Sequence, residues 1–447
     1  MARLTHISKE KEIKTTATMK RHLIYGLMAA LATLLATDAS AQRSEGYDLH
    51  RTRLIPYPTA NEATKHSLAK QRYMEPIVEW KTAGDGELTG QFTYPFSWVE
   101  RQIFVRIEGV NCPYEVLVNG KSAGSSANGH AATEFNITKI SREDKNTLTL
   151  RLMENKGVAA IEGFDIAASA PVAYIISQPR VRMRDIYYRT TLGMGSVVNV
   201  DFGAIMHNQT LGDKTSRIYY ELYLNDTIRL AAGHRDVSLG MYGVDTMRFG
   251  APVPDSVLWS SNNPIQLSLH LKNRIAGRDV EFYNLPLSLR ELRFESGTFY
   301  INGKATTMDW AEVSPNATED IVQSLYERGH RALRFTAGVV SEEVLTECDR
   351  LGIYVAVTAP INSSHNGQSR KRGGNPSNNP RWKQTYIERV MQMIYTTQRH
   401  PSVIAYHLAD DSANGICLYE AYLAAKSIAG DRPVFYDDAN GEWNSDR

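Results

Sequence analysis

Two hydrophobic patterns divide the chain. From about residue 88 to 290, short runs alternate apolar and polar positions and are rich in β-branched and aromatic side chains, as in Ile103 to Ile107. Gly, Asn, Asp and Pro separate these runs, which is typical of strands joined by turns. The pair Asn119-Gly120 is a strong hairpin signal, because both residues tolerate positive φ. Since a polar, small-residue stretch from Ser169 to Pro179 interrupts the alternation, the pattern predicts two all-β modules.

Beyond about Phe299, helical spacing alternates with short apolar runs, which indicates βα units. Ser341 is predicted to cap the start of one helix, and Gly352 to cap its end. Five strands are predicted near Lys304 to Trp310 and at Ala332 to Phe335, Ile353 to Val357, Val403 to His407 and Val434 to Tyr436. Helices at each crossover favour a parallel sheet that curls toward a (β/α) barrel.

The predicted barrel is incomplete. Residues 298–447 supply 150 positions, whereas a closed eight-unit barrel takes about 250. We therefore expect about five units. Three explanations stay open: a second chain completes the barrel, the protein is a half-barrel, or the gene is truncated.

Composition indicates a folded, multidomain protein. The chain has 447 residues, 42% of them hydrophobic, with 50 Lys and Arg against 49 Asp and Glu. A net charge of +1 creates no global positive field, so nucleic acid is not an expected partner. The expected fold class is multidomain β plus α/β.

The N-terminus predicts export. Lys20-Arg21 precedes the apolar run Leu23 to Ala36, and Ala39 to Ala41 offer small residues for cleavage. We predict that residues 1–41 are a signal peptide, with Met19 as a possible true start. The apolar run is shorter than the roughly 20 residues that span a membrane. The expected location is therefore periplasmic, outer-surface or secreted, without a transmembrane anchor.

Cysteine and histidine spacing predicts no metal or cofactor. Cys112, Cys348 and Cys417 are odd in number and far apart, so we expect buried packing residues. His400 and His407 form no metal-ligand motif.

Several motifs carry a family resemblance. The stretch from Arg399 to Ser412 reads RHPSVIAYHLADDS, and Arg432 to Asp437 reads RPVFYD. Together with Leu258 to Pro264 and the strands from Phe92 to Lys121, they resemble glycoside hydrolase family 2, the β-galactosidase and β-glucuronidase family. The resemblance implies a jelly-roll sugar-binding-like domain at residues 42–175, an immunoglobulin-like β-sandwich at 176–297 and a partial TIM-type (β/α) barrel at 298–447.

The resemblance also implies site residues. Asp411 stands at the position of the family's acid/base Glu, and Asp410 at the preceding Asn. Tyr406 stands where the family has a sugar-stacking Trp, and His407 follows it. Arg334 keeps the arginine of the second-strand motif. The implied roles are acid/base for Asp411 and substrate binding for the other four residues.

The chemistry of this pattern is incomplete. Retaining glycosidases need two carboxyl groups about 5 Å apart, and Asp is one methylene shorter than Glu. A misplacement of ~1 Å can cost ~100-fold in rate. The family's nucleophile lies on the seventh strand, beyond the fifth strand with which this sequence ends, and no spacing places Glu442 opposite Asp411. The adjacent carboxylates of Asp410 and Asp411 could push one pKa upward, as an acid catalyst needs, or both could be solvated or cap the next helix.

These observations predict an exported family 2-like pseudoenzyme that binds carbohydrate, a glycoconjugate or a protein partner. One alternative is a retaining β-galactosidase-like glycosidase with Asp411 as acid/base and a nucleophile from another chain. The other is a surface interaction protein without sugar affinity.

Overall fold

The computed structural model describes residues 53–65, 72–77, 79–84, 86–126, 128–153, 158–164, 170–371 and 373–446. The predicted signal peptide at 1–41 lies outside the described residues. Within these ranges, no helix has both the length and the apolar character that crossing a membrane requires.

A β-sandwich follows the short helix α1 (Ala60–Thr64). Its strands are β1 (Met74–Ile77), β2 (Lys81–Thr82), β3 (Glu87–Phe92), β4 (Gln102–Glu108), β5 (Tyr114–Val118), β6 (Lys121–Ser126), β7 (Thr133–Asn136), β8 (Asn146–Leu152) and β9 (Val172–Gln178). They form antiparallel sheets in the orders β1-β9-β4-β7 and β2-β3-β8-β5-β6. Alternate residues of β5, Tyr114, Val116 and Val118, are buried between the sheets. Asn119 and Gly120 turn with φ of 52° and 76°, which confirms the predicted β5–β6 hairpin.

A second sandwich follows directly. Its strands are β10 (Val181–Leu192), β11 (Val197–Asn208), β12 (Lys214–Leu224), β13 (Ile228–Leu239), β14 (Val244–Pro254), β15 (Leu267–Ile275) and β16 (Arg278–Leu287). Sheets of three and four strands, β10-β11-β14 and β13-β12-β15-β16, enclose one core. The domain boundary predicted after residue 175 falls inside β9, whose pairing with β1 and β4 keeps residues up to Gln178 in the first sandwich.

The third region begins with a small antiparallel sheet and continues as a parallel one. The small sheet contains β17 (Leu292–Glu295), β18 (Thr298–Ile301) and β19 (Lys304–Thr306). The parallel sheet contains β20 (Trp310–Val313), β21 (Ala332–Phe335), β22 (Tyr354–Thr358), β23 (Val403–His407) and β24 (Val434–Phe435), in chain order. Its helices are α2 (Glu319–Glu327), α3 (Glu342–Leu351), α4 (Lys383–Thr397) and α5 (Ile416–Ile428).

This order confirms the predicted fold class: two β-sandwiches followed by five strands of an incomplete (β/α) barrel. The predicted strand near Lys304 to Trp310 is corrected. Asn302 and Gly303 adopt φ of 51° and 78° and turn Lys304–Thr306 back onto β18. The first parallel strand therefore starts only at Trp310.

The predicted caps Ser341 and Gly352 gave the bounds of helix α3 correctly. The Ser341 hydroxyl accepts a hydrogen bond from the Val344 N–H at 3.2 Å, as an N-cap does. Gly352 ends the helix in the left-handed conformation, with φ of 74°. On this helix Cys348 is buried, as is Cys417 on α5, whereas Cys112 is partly exposed, which corrects its prediction as a buried residue.

Two buried arginines fix the segment before β23. Arg290, between β16 and β17, donates to the carbonyls of Pro401 and Val403 at 2.6 and 2.7 Å. Arg432 donates to the carbonyls of Val403 and Gln398, both at 2.7 Å. Because these bonds come from both sides of the segment, the start of β23 is tied to the linker from the second sandwich and to β24.

His400 in the same segment joins α3. Its Nδ1 lies 2.7 Å from Asp349 Oδ2, and the other Asp349 oxygen accepts from Ser402 N–H at 3.1 Å. Burial alone lowers the pKa of His400, but the carboxylates of Asp349 and Glu342 outweigh it and raise the pKa to about 10. We call His400, Asp349, Arg290 and Arg432 the anchor cluster.

Candidate active site

Several ionisable side chains lie close together at the carboxyl ends of the parallel strands. In a (β/α) barrel the carboxyl ends of the strands form the face that carries active sites. We use the name mouth cluster for five residues there: Glu312, Arg334, His407, Asp410 and Asp437.

Arg334 is the centre of the mouth cluster. Its Nη2 lies 2.8 Å from Asp437 Oδ2 and 3.5 Å from Asp410 Oδ1. Its Nη1 lies 3.5 Å from Glu312 Oε1. The Nε atom is buried and has no hydrogen-bond partner among the described residues. One guanidinium is therefore shared by three carboxylates and keeps an unused donor.

Asp410 is partly buried in the loop after β23. Its Oδ2 accepts from the Ala337 N–H at 2.6 Å, and its own N–H donates to the Ile361 carbonyl. Burial raises the pKa of Asp410, and the negative charges of Asp411 and Glu312 raise it further. The Ala337 hydrogen bond and Arg334 oppose the rise without cancelling it.

His407 is the last residue of β23 and is 8% exposed. Burial, with the positive charge of Arg334, lowers its pKa to about 4, although Asp437 acts in the opposite direction. Its Nδ1 lies 3.8 Å from Asp437 Oδ1, too far for a hydrogen bond, and has no partner among the described residues. At neutral pH the ring is uncharged, so it has one donor and one acceptor nitrogen.

Asp411, the predicted acid/base, is exposed. Its backbone carbonyl accepts from Ser363 N–H at 3.2 Å, and the next residue, Ser412, donates from its N–H to Asp438 at 3.1 Å. No hydrogen bond from a described residue reaches the Asp411 carboxylate. Hydrogen bonds therefore fix the backbone at Asp411 and Ser412, whereas the Asp411 carboxylate accepts none from the described residues.

Tyr406 is not brought to the mouth. Its side chain is completely buried in the core on the helix side of the sheet, with the Arg432 guanidinium 5.9 Å from its ring centroid. The cause is a bulge: Val355 pairs with Val403, but Ala356 pairs with Ala405. The extra residue moves every following side chain of β23 to the opposite face. Tyr406 therefore turns toward the helices and His407 toward the mouth.

Glu442 is also engaged elsewhere. Its Oε1 lies 2.8 Å from Arg370 Nη1, and Arg370 donates from Nε to the Asn414 carbonyl. The part of the chain that the structure describes contains no group of three or more His, Cys, Asp or Glu side chains arranged to hold a metal ion.

Sequence reasoning missed two members of the mouth cluster. Asp437 directly follows the predicted strand ending at Tyr436, and Glu312 lies in β20. The rule that carboxyl ends of barrel strands carry the site would have identified Asp437. Glu312 was hidden because its strand was predicted several residues too early.

The geometry limits what the carboxylates can do. Because one Arg334 nitrogen contacts both Asp410 and Asp437, their oxygens lie at most roughly 6 Å apart, a range that includes the ~5 Å of a retaining glycosidase pair. The guanidinium, however, contacts both groups, and its positive charge opposes the rise in the pKa of Asp410.

Comparisons with known proteins agree with this architecture. Residues 316–446 match the model described as glycosyl hydrolases family 2, TIM barrel domain. A β-galactosidase of Priestia megaterium is 22% identical over 421 residues, covering 88% of this chain and 39% of the relative. A β-galactosidase of Yersinia enterocolitica is 22% identical over 386 residues, covering 78% of this chain and 36% of the relative.

A solved structure shares the fold. The β-glucuronidase of Bacteroides uniformis superposes with a TM-score of 0.66 at 17% identity, covering 78% of this chain and 46% of that one. The chain thus spans less than half the length of these relatives. The family model assigns residues 316–446 to the glycoside hydrolase family 2 TIM-barrel domain, and the motifs and the architecture of the described chain agree with that assignment.

Proposed function

We propose that the mouth cluster binds carbohydrate and that this chain does not cleave it. The observation that carries the proposal is a pair of buried nitrogens without partners among the described residues, Arg334 Nε and His407 Nδ1. Both belong to residues at the carboxyl ends of the parallel strands, where barrel enzymes bind their substrates.

Sugar hydroxyls suit these groups. A hydroxyl both donates and accepts, so it can accept from Arg334 Nε and pair with either nitrogen of a neutral His407. A buried polar group left without a partner costs about 1–3 kcal/mol, and a bound sugar would remove that cost. The family relatives named β-galactosidase and β-glucuronidase support carbohydrate as the ligand class.

The carboxylates support binding without cleavage. A glycosidase acid is held protonated by burial, and its partner carboxylate must be free to attack the anomeric carbon. Asp411 is exposed, and Arg334 bridges Asp410 and Asp437. These residues lack the division of roles between acid and nucleophile that hydrolysis requires.

The test combines calorimetric titration with a turnover assay. At least one of methyl β-D-galactoside and methyl β-D-glucuronide should bind the wild type, and Arg334→Met should weaken the tighter of the two by 10- to 100-fold. Arg381→Met, an exposed arginine of the same region, is the matched control and should bind normally. Aryl β-galactoside and β-glucuronide should give no turnover. Absence of binding would instead favour a surface interaction protein without sugar affinity.

One observation favours a catalytic alternative. Burial raises the pKa of Asp410, which is what a proton donor needs. With a nucleophile from another chain, Asp410 or Asp411 could then act as the acid in a β-galactosidase-like reaction. Turnover that disappears in Asp410→Asn or Asp411→Asn would establish this alternative and exclude the non-catalytic proposal.

Export belongs to the same proposal. The basic pair at Lys20-Arg21, the apolar run and the small residues at 39–41 support a cleaved signal peptide. Fractionation of expressing cells should find the chain outside the cytoplasm with a new N-terminus near residue 42. An intact N-terminus in the cytoplasm would contradict it.

A further inference from the structure

A cavity lies between the first sandwich and the helices of the barrel. It has a volume of about 290 Å³, and none of the mouth cluster residues lines it. We call it the seam cavity. The residues that matter below are Ala132 of the sandwich, Val340 and Leu345 beside and in α3, and Arg389, Gln392 and Met393 of α4.

Two lining side chains carry buried nitrogens without partners. Arg389 donates from Nη1 to the Pro360 carbonyl at 2.5 Å and from Nη2 to Glu162, but its Nε has no partner among the described residues. Gln392 accepts from Asn128 through Oε1, while its Nε2 has none. Arg389 is fully buried and Gln392 is 2% exposed. Both unused groups are donors, so they call for an acceptor oxygen on a ligand.

Acceptors are also present on α4. The hydroxyl of Thr397 donates to the Met393 carbonyl at 2.7 Å, and that of Thr396 donates to the Gln392 carbonyl at 2.9 Å. Both threonines line the seam cavity. Their hydroxyl oxygens keep lone pairs that can accept from a ligand hydroxyl.

The charges around the cavity indicate a neutral ligand. Three arginines, Arg53, Arg106 and Arg389, and three glutamates, Glu108, Glu342 and Glu343, line the cavity together with His130, whose Nε2 lies 2.9 Å from Glu162. The most buried arginines are already paired, Arg389 with Glu162 and Arg106 with Glu108. An anionic ligand would face paired guanidiniums and additional carboxylates, so the lining favours an uncharged molecule.

Part of the cavity wall is apolar. Ala132, Val340, Leu345 and Met393 contribute hydrocarbon surface to the cavity. At about 30 Å³ per water molecule, the cavity has room for roughly ten waters, more than two unpaired nitrogens require. Its volume lies near the lower limit of small-molecule sites, about 300 Å³.

We propose that the seam cavity is a second ligand site, which binds a neutral monosaccharide or a polyol of similar size. Hydroxyl oxygens of the ligand accept from Arg389 Nε and Gln392 Nε2, and its C–H face packs on the apolar wall. The site shares no residue with the mouth cluster, so it stands or falls independently of the proposed function.

The experiment measures binding by saturation-transfer NMR and calorimetry with D-galactose, D-glucose, glycerol and, as the charged counterpart, D-glucuronate. Wild type should bind at least one of the neutral probes and should bind glucuronate more weakly. Gln392→Met removes the unused donor and Ala132→Leu fills the cavity, and each should weaken binding at least 10-fold. Gln384→Met, exposed on the same helix, should leave this binding unchanged.

An isotope label on Met393, which lines the cavity, reports ligand binding there in the wild-type protein. With [methyl-¹³C]methionine, the Met393 resonance, assigned with Met393→Leu, should shift on addition of the sugar that binds. The proposal is overturned if no neutral probe binds, if the Met393 signal does not shift, if glucuronate shifts that signal at lower concentrations than the neutral probes do, or if Arg334→Met abolishes the shift while Gln392→Met and Ala132→Leu do not. Should Gln392→Met fail to fold, the Ala132→Leu and Met393 results decide.

Discussion

The anchor cluster lies beside the start of β23 and the mouth cluster beside its end, yet their charges are arranged differently. In the anchor cluster, His400 and Asp349 meet at 2.7 Å, and two buried arginines each bind carbonyls at 2.6 to 2.7 Å. In the mouth cluster, Arg334 serves three carboxylates, two of them at 3.5 Å. The anchor cluster is closed within the protein, whereas the mouth cluster has unused hydrogen-bonding capacity.

The difference separates charges that hold the fold from charges available to a ligand. A buried ion pair is costly to break because the remaining partner stays buried and unpaired. A partly exposed cluster with long contacts contributes little to stability and can reorganise around a ligand. Asp437 of the mouth cluster is 60% exposed. Substitutions in the anchor cluster should therefore change stability, and those in the mouth cluster should change binding.

The largest effect is expected for Asp349→Ala. It leaves the charged His400 buried without its partner and removes the acceptor of the Ser402 N–H. We expect a loss of about 3–5 kcal/mol in the free energy of unfolding, measured by urea denaturation. Asp309→Ala, an exposed aspartate of the same region, should change it by less than about 0.5 kcal/mol. Equal losses of unfolding free energy in the two variants would show that the anchor cluster does not stabilise the fold.

The pH dependence of stability tests His400 next. Its pKa of about 10 in the fold is higher than the ordinary 6.5, so the protonated form stabilises the fold. That contribution is complete below pH 6.5 and is lost as the pH rises through 10. The stability difference between wild type and His400→Asn should therefore shrink by about 1.4 kcal/mol per pH unit in this interval. A difference that stays constant from pH 6.5 to 10 would show that His400 is not charged.

Arg334→Met should have an intermediate effect, and mainly on the affinity for the sugar. The loss of a charged donor should weaken sugar binding 10- to 100-fold, or about 1.5–3 kcal/mol. The unfolding free energy should fall by less than about 1 kcal/mol, because its ion pairs are partly exposed. A loss of stability as large as that of Asp349→Ala would show that Arg334 holds the fold, as the anchor cluster does.

The smallest effect is expected for Asp410→Asn. Burial raises the pKa of Asp410, so ionisation disfavours the fold, and this cost is present at neutral pH and relieved in acid. Asn keeps an acceptor for the Ala337 N–H without the charge. The unfolding free energy at pH 7 should be unchanged or higher by up to about 1 kcal/mol. A clear loss would mean that the ion pair with Arg334 stabilises the fold.

The sequence predicted elements whose signals are local. The caps Ser341 and Gly352, the strand at Val403 to His407 and the change from sandwich to βα units all follow from neighbouring residues. The prediction failed at the first barrel strand, where the turn at Asn302 and Gly303 sends the next residues into another sheet.

The site was harder to predict because its geometry is not local. Tyr406 was expected to face the sugar, but a bulge opposite Ala356 turns it to the helix side, and no residue type in β23 signals that bulge. Arg334, His407 and Asp410 do meet at the mouth. Asp437 joins them from 26 residues beyond Asp411, through the pairing of β23 with β24.

The most direct test of carbohydrate binding without cleavage follows methyl β-D-galactoside and methyl β-D-glucuronide with the protein in one NMR tube each. Saturation transfer reports binding, and free methanol reports hydrolysis. We predict transfer to at least one glycoside in the wild type, weaker transfer in Arg334→Met, and no methanol after a day. Methanol release that Asp411→Asn or Asp410→Asn abolishes, or no transfer to either glycoside, would contradict the account.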